Sequence, residues 1–372
     1  MEQTGPIVSA GAIILLRMFD IAYAIDLPKI EALAAARARS TSRIRLSTTP
    51  SKAMTFDVPP LALALDPLVL RIDGTDTRAD VTVRIYDFGA ISFVLNMTVA
   101  NLPWVEFAER VNAVARDLAP DTASGIWDSM LAEVRTSLAP ALLRPATSAV
   151  HEDYLIGLVY GFDNESDTPS LLASIDLVPL LSGEQRPLSD GARQDLLRQR
   201  FSYYTDDLVV LTWDRAFIYE PRGDSDVIDV LEVANIQLLE MRYYDELLDD
   251  ELPRMYSLVE TARRRGLILA PRRFANLARR FYTLVAEVTE LTERVDNALQ
   301  VTEDVYLARI YASALELFRV KTVSAAVDRK LAIIRDTYTA LYDEASSRRS
   351  ELLEILIVLL IVAEIVLALV RP

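Results

Sequence analysis

The spacing of apolar residues changes along the chain, and the changes mark out its elements. Alternation of period two predicts strands over 12–25 and 43–46, on either side of a helix at 28–38. Residues 80–97, ADVTVRIYDFGAISFVLN, read as two strands bent at Asp87-Phe88-Gly89. Helical spacing then takes over at 103–118 and 121–138. A second round follows, with a strand at Tyr154 to Phe162, helices near 169–182 and 189–200, and a strand pair from Leu208 to Glu220. Val83 to Phe93 lines up with Val209 to Tyr219, offset by one at the aromatic-Asp pair. That leaves two readings, a pair of related α/β halves (1–148 and 149–224) forming one mixed sheet, or two unrelated hairpins of similar β propensity. Val230, Val233, Ile236, Leu239, Tyr243 and Leu247 hold helical spacing in a connector over 225–271, where Pro253 starts or kinks a second helix and Gly266 closes it.

From Arg272 to Arg371 there are 100 consecutive residues without glycine or proline, which predicts long helix. Phe274, Leu277, Phe281, Leu284, Val288, Leu291 and Val295 alternate by three and four, and a second run continues from Val320 through Val327 and Ile334 to Leu341. The register breaks between the runs. Residues 272–349 therefore read as a coiled-coil hairpin that turns within 298–320. The segment 352–370, LLEILIVLLIVAEIVLALV, is apolar all round and long enough for a single transmembrane helix. Leu352, Ile355, Leu359, Ile365 and Val370 would face lipid, and Glu364 would meet an intramembrane partner or stay protonated. A folded-back hairpin would bring Arg272, Arg273, Arg279 and Arg280 near Arg348 and Arg349, as a basic collar for anionic headgroups or as ordinary solvated positions. The expected fold class is thus α+β: a mixed-sheet α/β cytoplasmic head, a helical coiled-coil hairpin and one C-terminal membrane span.

Composition narrows the chemistry. Among 372 residues there is no cysteine and one histidine, which removes disulfides, thiolate metal sites and multi-histidine centres. The formal charge of −15 argues against a general nucleic-acid binder. That deficit is local, because residues 1–271 hold 25 basic and 40 acidic side chains while 272–371 hold 14 of each. No nucleophile elbow, phosphate-binding glycine loop or dinucleotide fingerprint occurs, and no cofactor is implied. His151 suits a surface or capping role. Asp245, Glu246, Asp249, Asp250 and Glu251 form an acidic cluster that either binds a divalent cation or is solvated, and Arg263-Arg264-Arg265 either touches RNA or lipid or solubilises a turn. The apolar run at 7–16 lacks a basic start and is broken by Arg17 and Asp20, so it reads as strand rather than signal peptide.

IYDFGAISFVL (85–95), DLVVLTWDRAFIYEP (207–221), NIQLLEMRYYDELLDDELPRMY (235–256) and RSELLEILIVLLIVAEIVL (349–367) together resemble the "required for meiotic nuclear division" family of domains of unknown function, as a bacterial-type member. The block around 168–184 departs from that family's pattern. The resemblance implies a membrane-anchored, non-enzymatic protein and carries over no functional residue. An address follows, the bacterial inner membrane with the bulk of the chain in the cytoplasm. The expected function is scaffolding or tethering, with the lipid bilayer and an unknown protein as partners and self-association through the arms or the membrane helix. Two alternatives stay open: an enzyme using a carboxylate-bound metal at Glu246, Asp249 and Asp250, or a subunit of an oligomeric membrane complex.

Overall fold

Strand β1 (Ile7–Asp20) is buried at every residue from Gly11 to Asp20, so both of its faces are covered. A strand with two buried faces reads as a near-continuous apolar run, as ILLRMF does here. In this computed structural model β1 lies between β7 (Ala90–Pro103) and β9 (His151–Phe162), antiparallel to both. The hairpin partner of β7 is β6 (Thr75–Ile85), and β4 (Leu61–Ala64), β3 (Thr41–Arg43) and β5 (Leu68–Ile72) complete that side. On the other side β12 (Arg215–Tyr219) runs parallel to β9, followed by β11 (Leu208–Leu211) and β10 (Arg200–Phe201). Among the described residues this makes a ten-stranded mixed sheet, with a small ladder of β2 (Ala22–Ile25) and β8 (Leu142–Pro145) beside it. The structure describes residues 5–36, 41–43, 58–146, 150–163, 168–184, 186–223, 226–264, scattered positions between 276 and 290, and 304–370.

One sheet face carries the main core. Ile13, Leu15, Phe93, Leu95, Val83 and Phe217 point into it. Helices α1 (Leu27–Ala36), α2 (Trp104–Asp117) and α3 (Ser124–Leu138) contribute residues such as Ile30, Phe107, Val111, Trp127 and Val134. The short helices α4 (Thr168–Ser174) and α5 (Val178–Ser182) add Leu171, Leu180 and Leu181, and α6 (Asp190–Leu196) follows. On the opposite face the guanidinium of Arg84, from β6, reaches the carboxylates of Asp229 (2.5 Å) and Glu232 on α7 (Asp226–Arg264). The Tyr86 hydroxyl donates to Glu232 at 3.1 Å. Burial alone would lower the Arg84 pKa, but Glu232 and Asp229 together raise it, so the charge is locked on. Tyr154 of β9 meets Phe318 on this same face, with ring centroids 5.4 Å apart. Between β6 and β7, Gly89 has φ +114° and a Cβ there would lie 1.7 Å from the Ala22 carbonyl, so only glycine fits the turn.

The two hairpins that resemble each other in sequence are not equivalent. β7 is antiparallel to β1, whereas β12 is parallel to β9, so the pairing does not repeat. The chain forms two compact units, Met1–Glu240 with Arg294–Lys321, and Met241–Glu293 with Thr322–Pro372. In the region expected to hold a hairpin turn, α8 (Val305–Leu317) is a helix of its own, capped by the Asp304 side chain. It ends at Arg319, a non-glycine residue at φ 56°, and α9 (Val320–Val370) begins. In the second unit Phe281, Val288, Val327 and Ile334 are buried, each pair one heptad apart. Phe274, Leu277, Leu284, Leu291 and Val295 lie outside the described residues.

The expected membrane anchor is corrected. Among the described residues no helix is long and apolar enough to cross a membrane. In α9 the described side chains near the end run from Glu354 to Val366, all of them exposed. Glu354 and Glu364 fall within that stretch. Ile355, Leu359 and Ile365 are exposed, and the side chains of Leu352 and Val370 lie outside the description. The inner-membrane address therefore loses its anchor.

Asp20, at the end of β1, is 3% exposed. Burial pushes its carboxyl up to about 7, against the Ala22 N–H and the Arg135 charge, which lower it. Because the folded value exceeds the unfolded one, the fold favours the protonated form. That stabilisation is complete below about pH 4 and is lost as pH rises through 7. Asp20→Asn should therefore flatten the decline of stability between pH 4 and 7 and leave the variant more stable than the wild type at pH 8. Urea denaturation across that range measures it.

Candidate functional site

Helix α2 forms one wall of a wide cleft. Its inward residues Trp104, Phe107, Val111 and Val114 are buried, which turns Val105, Glu109, Asn112 and Arg116 outward. The outward face lines a half-open cleft of about 1200 Å3, closed on the other side by Asp176, Pro179 and Gly183 around α5. The two walls are pinned together. The Trp104 indole donates to the Asp176 carbonyl at 3.1 Å, and the Asn112 amide donates to the Pro179 carbonyl at 3.1 Å.

Arg215, the first residue of β12, forms the floor. Its Nη1 donates to Asn112 Oδ1 at 2.5 Å and to the Leu180 carbonyl at 3.0 Å, while Nε faces Asp214 at 3.4 Å. Gly183 ends α5 in the left-handed conformation, φ 67°, and a Cβ there would lie 2.5 Å from Arg215 Nη2. A glycine at this helix end both turns the chain and makes room for the guanidinium. Burial raises the Asp214 carboxyl above its usual range, opposed by Arg215 beside it. Arg116 and Arg186 bring further positive charge to the lining, and Glu109, Asp176 and Glu184 bring negative charge. Ser174 is the lining hydroxyl, and it donates to the Leu171 carbonyl at 2.9 Å. Among the described lining residues there is no histidine. Such a surface suits binding of a ligand that carries both signs of charge.

The residues singled out from sequence lie elsewhere. Lys330 of α9 reaches Asp245 and Asp249 of α7, both at 2.6 Å, so the acidic cluster is spanned by a cation within the second unit. Arg254 reaches Glu251 at 2.7 Å. Among the described residues no group of three or more His, Asp or Glu side chains is placed to hold a metal ion. His151 begins β9, half-buried, with its ring 6.0 Å from Phe19. Arg279 is exposed, Arg272, Arg273 and Arg280 lie outside the described residues, and α9 carries Arg348 and Arg349 without described side chains. The Arg263-Arg264-Arg265 side chains are likewise outside the description. Arg215, Asn112 and Gly183 were not anticipated. The one available signal was Gly183, a lone glycine directly after the apolar segment LVPLLS.

A mixed ten-stranded sheet covered on both faces, with a cleft on its α2 side, defines the architecture. The family model described as "Uncharacterized protein MJ0711, N-terminal domain" matches residues 10–226, and the chain belongs to that family. Uncharacterized protein MJ0711 of Methanocaldococcus jannaschii is 26% identical over 216 residues, covering 57% of this chain and 65% of that protein. The matched stretch thus spans less than two thirds of the relative's length. No solved structure matches the chain. These findings replace the resemblance to the meiotic nuclear division family. Two of the stretches that carried it, 235–256 and 349–367, lie outside the matched residues, and the other two are hairpin patterns that a β-rich core alone can dictate. The bacterial assignment falls with it, since the relative is archaeal.

Gly183→Ala should cost about 1–2 kcal/mol, because an L side chain in the left-handed region is strained even before it meets Arg215. Gly191→Ala in α6, where a Cβ meets nothing within 4 Å, should leave stability unchanged or raise it by up to about 1 kcal/mol. Chemical denaturation of the pair separates the site-specific effect from the general one.

Proposed function

We propose that this chain is a scaffold without catalytic activity that holds a partner polypeptide in the cleft along α2. The observation that supports this reading is the lining. It combines Arg116, Arg186 and Arg215 with Asp73, Glu109, Asp176 and Glu184, and includes the exposed apolar side chain of Val105. A peptide carrying both signs of charge offers a matching surface, and the pinned walls hold the cleft ready for it. The competing metal-enzyme reading, at Glu246, Asp249 and Asp250, gains no support while Lys330 holds Asp249. Peptides selected by display on the full chain are expected to carry charges of both signs. Their affinity should fall about tenfold or more on Val105→Asp or Arg186→Glu, two exposed positions. Selected peptides indifferent to both substitutions would overturn the proposal.

A second reading, self-association, is favoured by the exposure of the apolar side chains from Ile355 to Val366. A contiguous apolar surface of this kind ordinarily meets a partner surface. In that reading Glu364 lies at the contact between copies. Sedimentation of the full chain should then show a dimer or larger species that dissociates when Leu356, Leu359 and Leu360 become serine. A monomer at tens of micromolar (about ten times a typical weak-dimer threshold) would remove the idea.

A further inference from the structure

A second, smaller pocket stands apart from the cleft. It forms where the loop between β10 and β11, the end of β12, and the starts of α7 and α8 converge. Tyr203, Tyr204 and Tyr306 build one wall. The rings of Tyr203 and Tyr204 are 4.8 Å apart and nearly perpendicular, and Tyr203 lies 5.4 Å from Tyr306. Asp207, Glu220, Asp226 and Asp304 line the remainder, around a volume of about 50 Å3. Asp207 is buried, accepting from the backbone N–H groups of Tyr203 (2.8 Å) and Tyr204 (3.1 Å), which fixes the aromatic wall. Asp304 caps α8 and so holds Tyr306 in place.

We propose that this pocket is a recognition site for a guanidinium group, taken from an arginine side chain or a free alkylguanidine. Three tyrosine rings and four carboxylates lining one small pocket attract a cation by ring quadrupole and by charge. The chain itself shows which cation the wall accepts. The guanidinium of Arg222 lies 4.0 Å from the centre of the Tyr204 ring, with the Arg222 backbone N–H held by Glu220 at 3.0 Å. A planar guanidinium stacks on aromatic rings and pairs with carboxylates edge-on, which an ammonium does less well. The surrounding field points the same way. Burial, and then the charges of Asp207, Glu220 and Asp304, push the Tyr306 phenol well above its usual range, against the nearby Arg309. Residues 1–271 also carry an excess of 15 acidic side chains, which would draw a cationic ligand in.

Titration of the full chain with methylguanidinium, followed by 13C-labelled tyrosine ring resonances, tests the site. Saturable shifts of Tyr203, Tyr204 and Tyr306 are expected, while methylurea, neutral and of the same shape, should give none. Tyr204→Leu, at an exposed position, and Asp226→Asn should each weaken binding about fivefold or more. Arg222→Ala should strengthen it by clearing the competing cation from Tyr204. Nα-acetyl-arginine amide binding at least as tightly as methylguanidinium assigns the site to an arginine side chain, and weaker binding assigns it to a free alkylguanidine. Absence of saturable shifts, equal response to methylurea, or binding unaffected by both Tyr204→Leu and Asp226→Asn overturns the proposal. None of these readouts involves Val105 or Arg186, so the cleft and this pocket stand or fall separately.

Discussion

β1 is buried on both faces from Gly11 to Asp20, and a charge placed in such a strand has to be matched inside the protein. That constraint organises the first unit. Arg17 sits 2% exposed in β1, its guanidinium paired with Asp153, bonded to the Leu118 carbonyl and lying 4.0 Å from the Trp127 ring centre. Arg84 is closed between Asp229 and Glu232 on the opposite face. Burying such ions is costly unless each is matched by charge and hydrogen bonds, and leaving one partner alone costs more still. The clusters tie β1 to β9 and α3, and β6 to the start of α7.

Much of the sheet was legible because its strands obey simple periodicity. The bend at Asp87-Phe88-Gly89 is the β6–β7 turn, and the helices at 103–118 and 121–138 correspond to α2 and α3. The register of β1 was harder to read. Arg17 and Asp20 argued against a signal peptide and for a strand, but nothing local announced their burial, because the charges that meet them, on Asp153 and Arg135, lie more than a hundred positions away. The break between α8 and α9 showed in the sequence only as a loss of heptad register within 298–320. It falls at Arg319, in a backbone conformation ordinarily marked by glycine or asparagine.

The candidate sites were less legible than the fold. The cleft depends on Arg215, Asn112 and Gly183, which are 32 to 103 residues apart in the chain and meet only because β12 lies parallel to β9 beneath α5. No motif records such a meeting. The acidic run at 245–251 was conspicuous in sequence, yet its carboxylates turn out to serve Lys330 and Arg254. Conspicuous charge along one helix is thus a poor guide to chemistry here, and modest residues brought together by topology are a better one.

The pairing of β1 also sets a schedule. Ile13 pairs with Met97 and Ile14 with Ile156, so the flanking strands leave the ribosome long after β1 does. At roughly 5–20 residues per second, β1 waits about 4–17 s for β7 and about 7–28 s for β9. Throughout that interval a strand made apolar on both faces for its final place has neither neighbour to cover it. Synthesis of this chain therefore passes through a period in which a strand buried on both faces in the finished fold is an adhesive one.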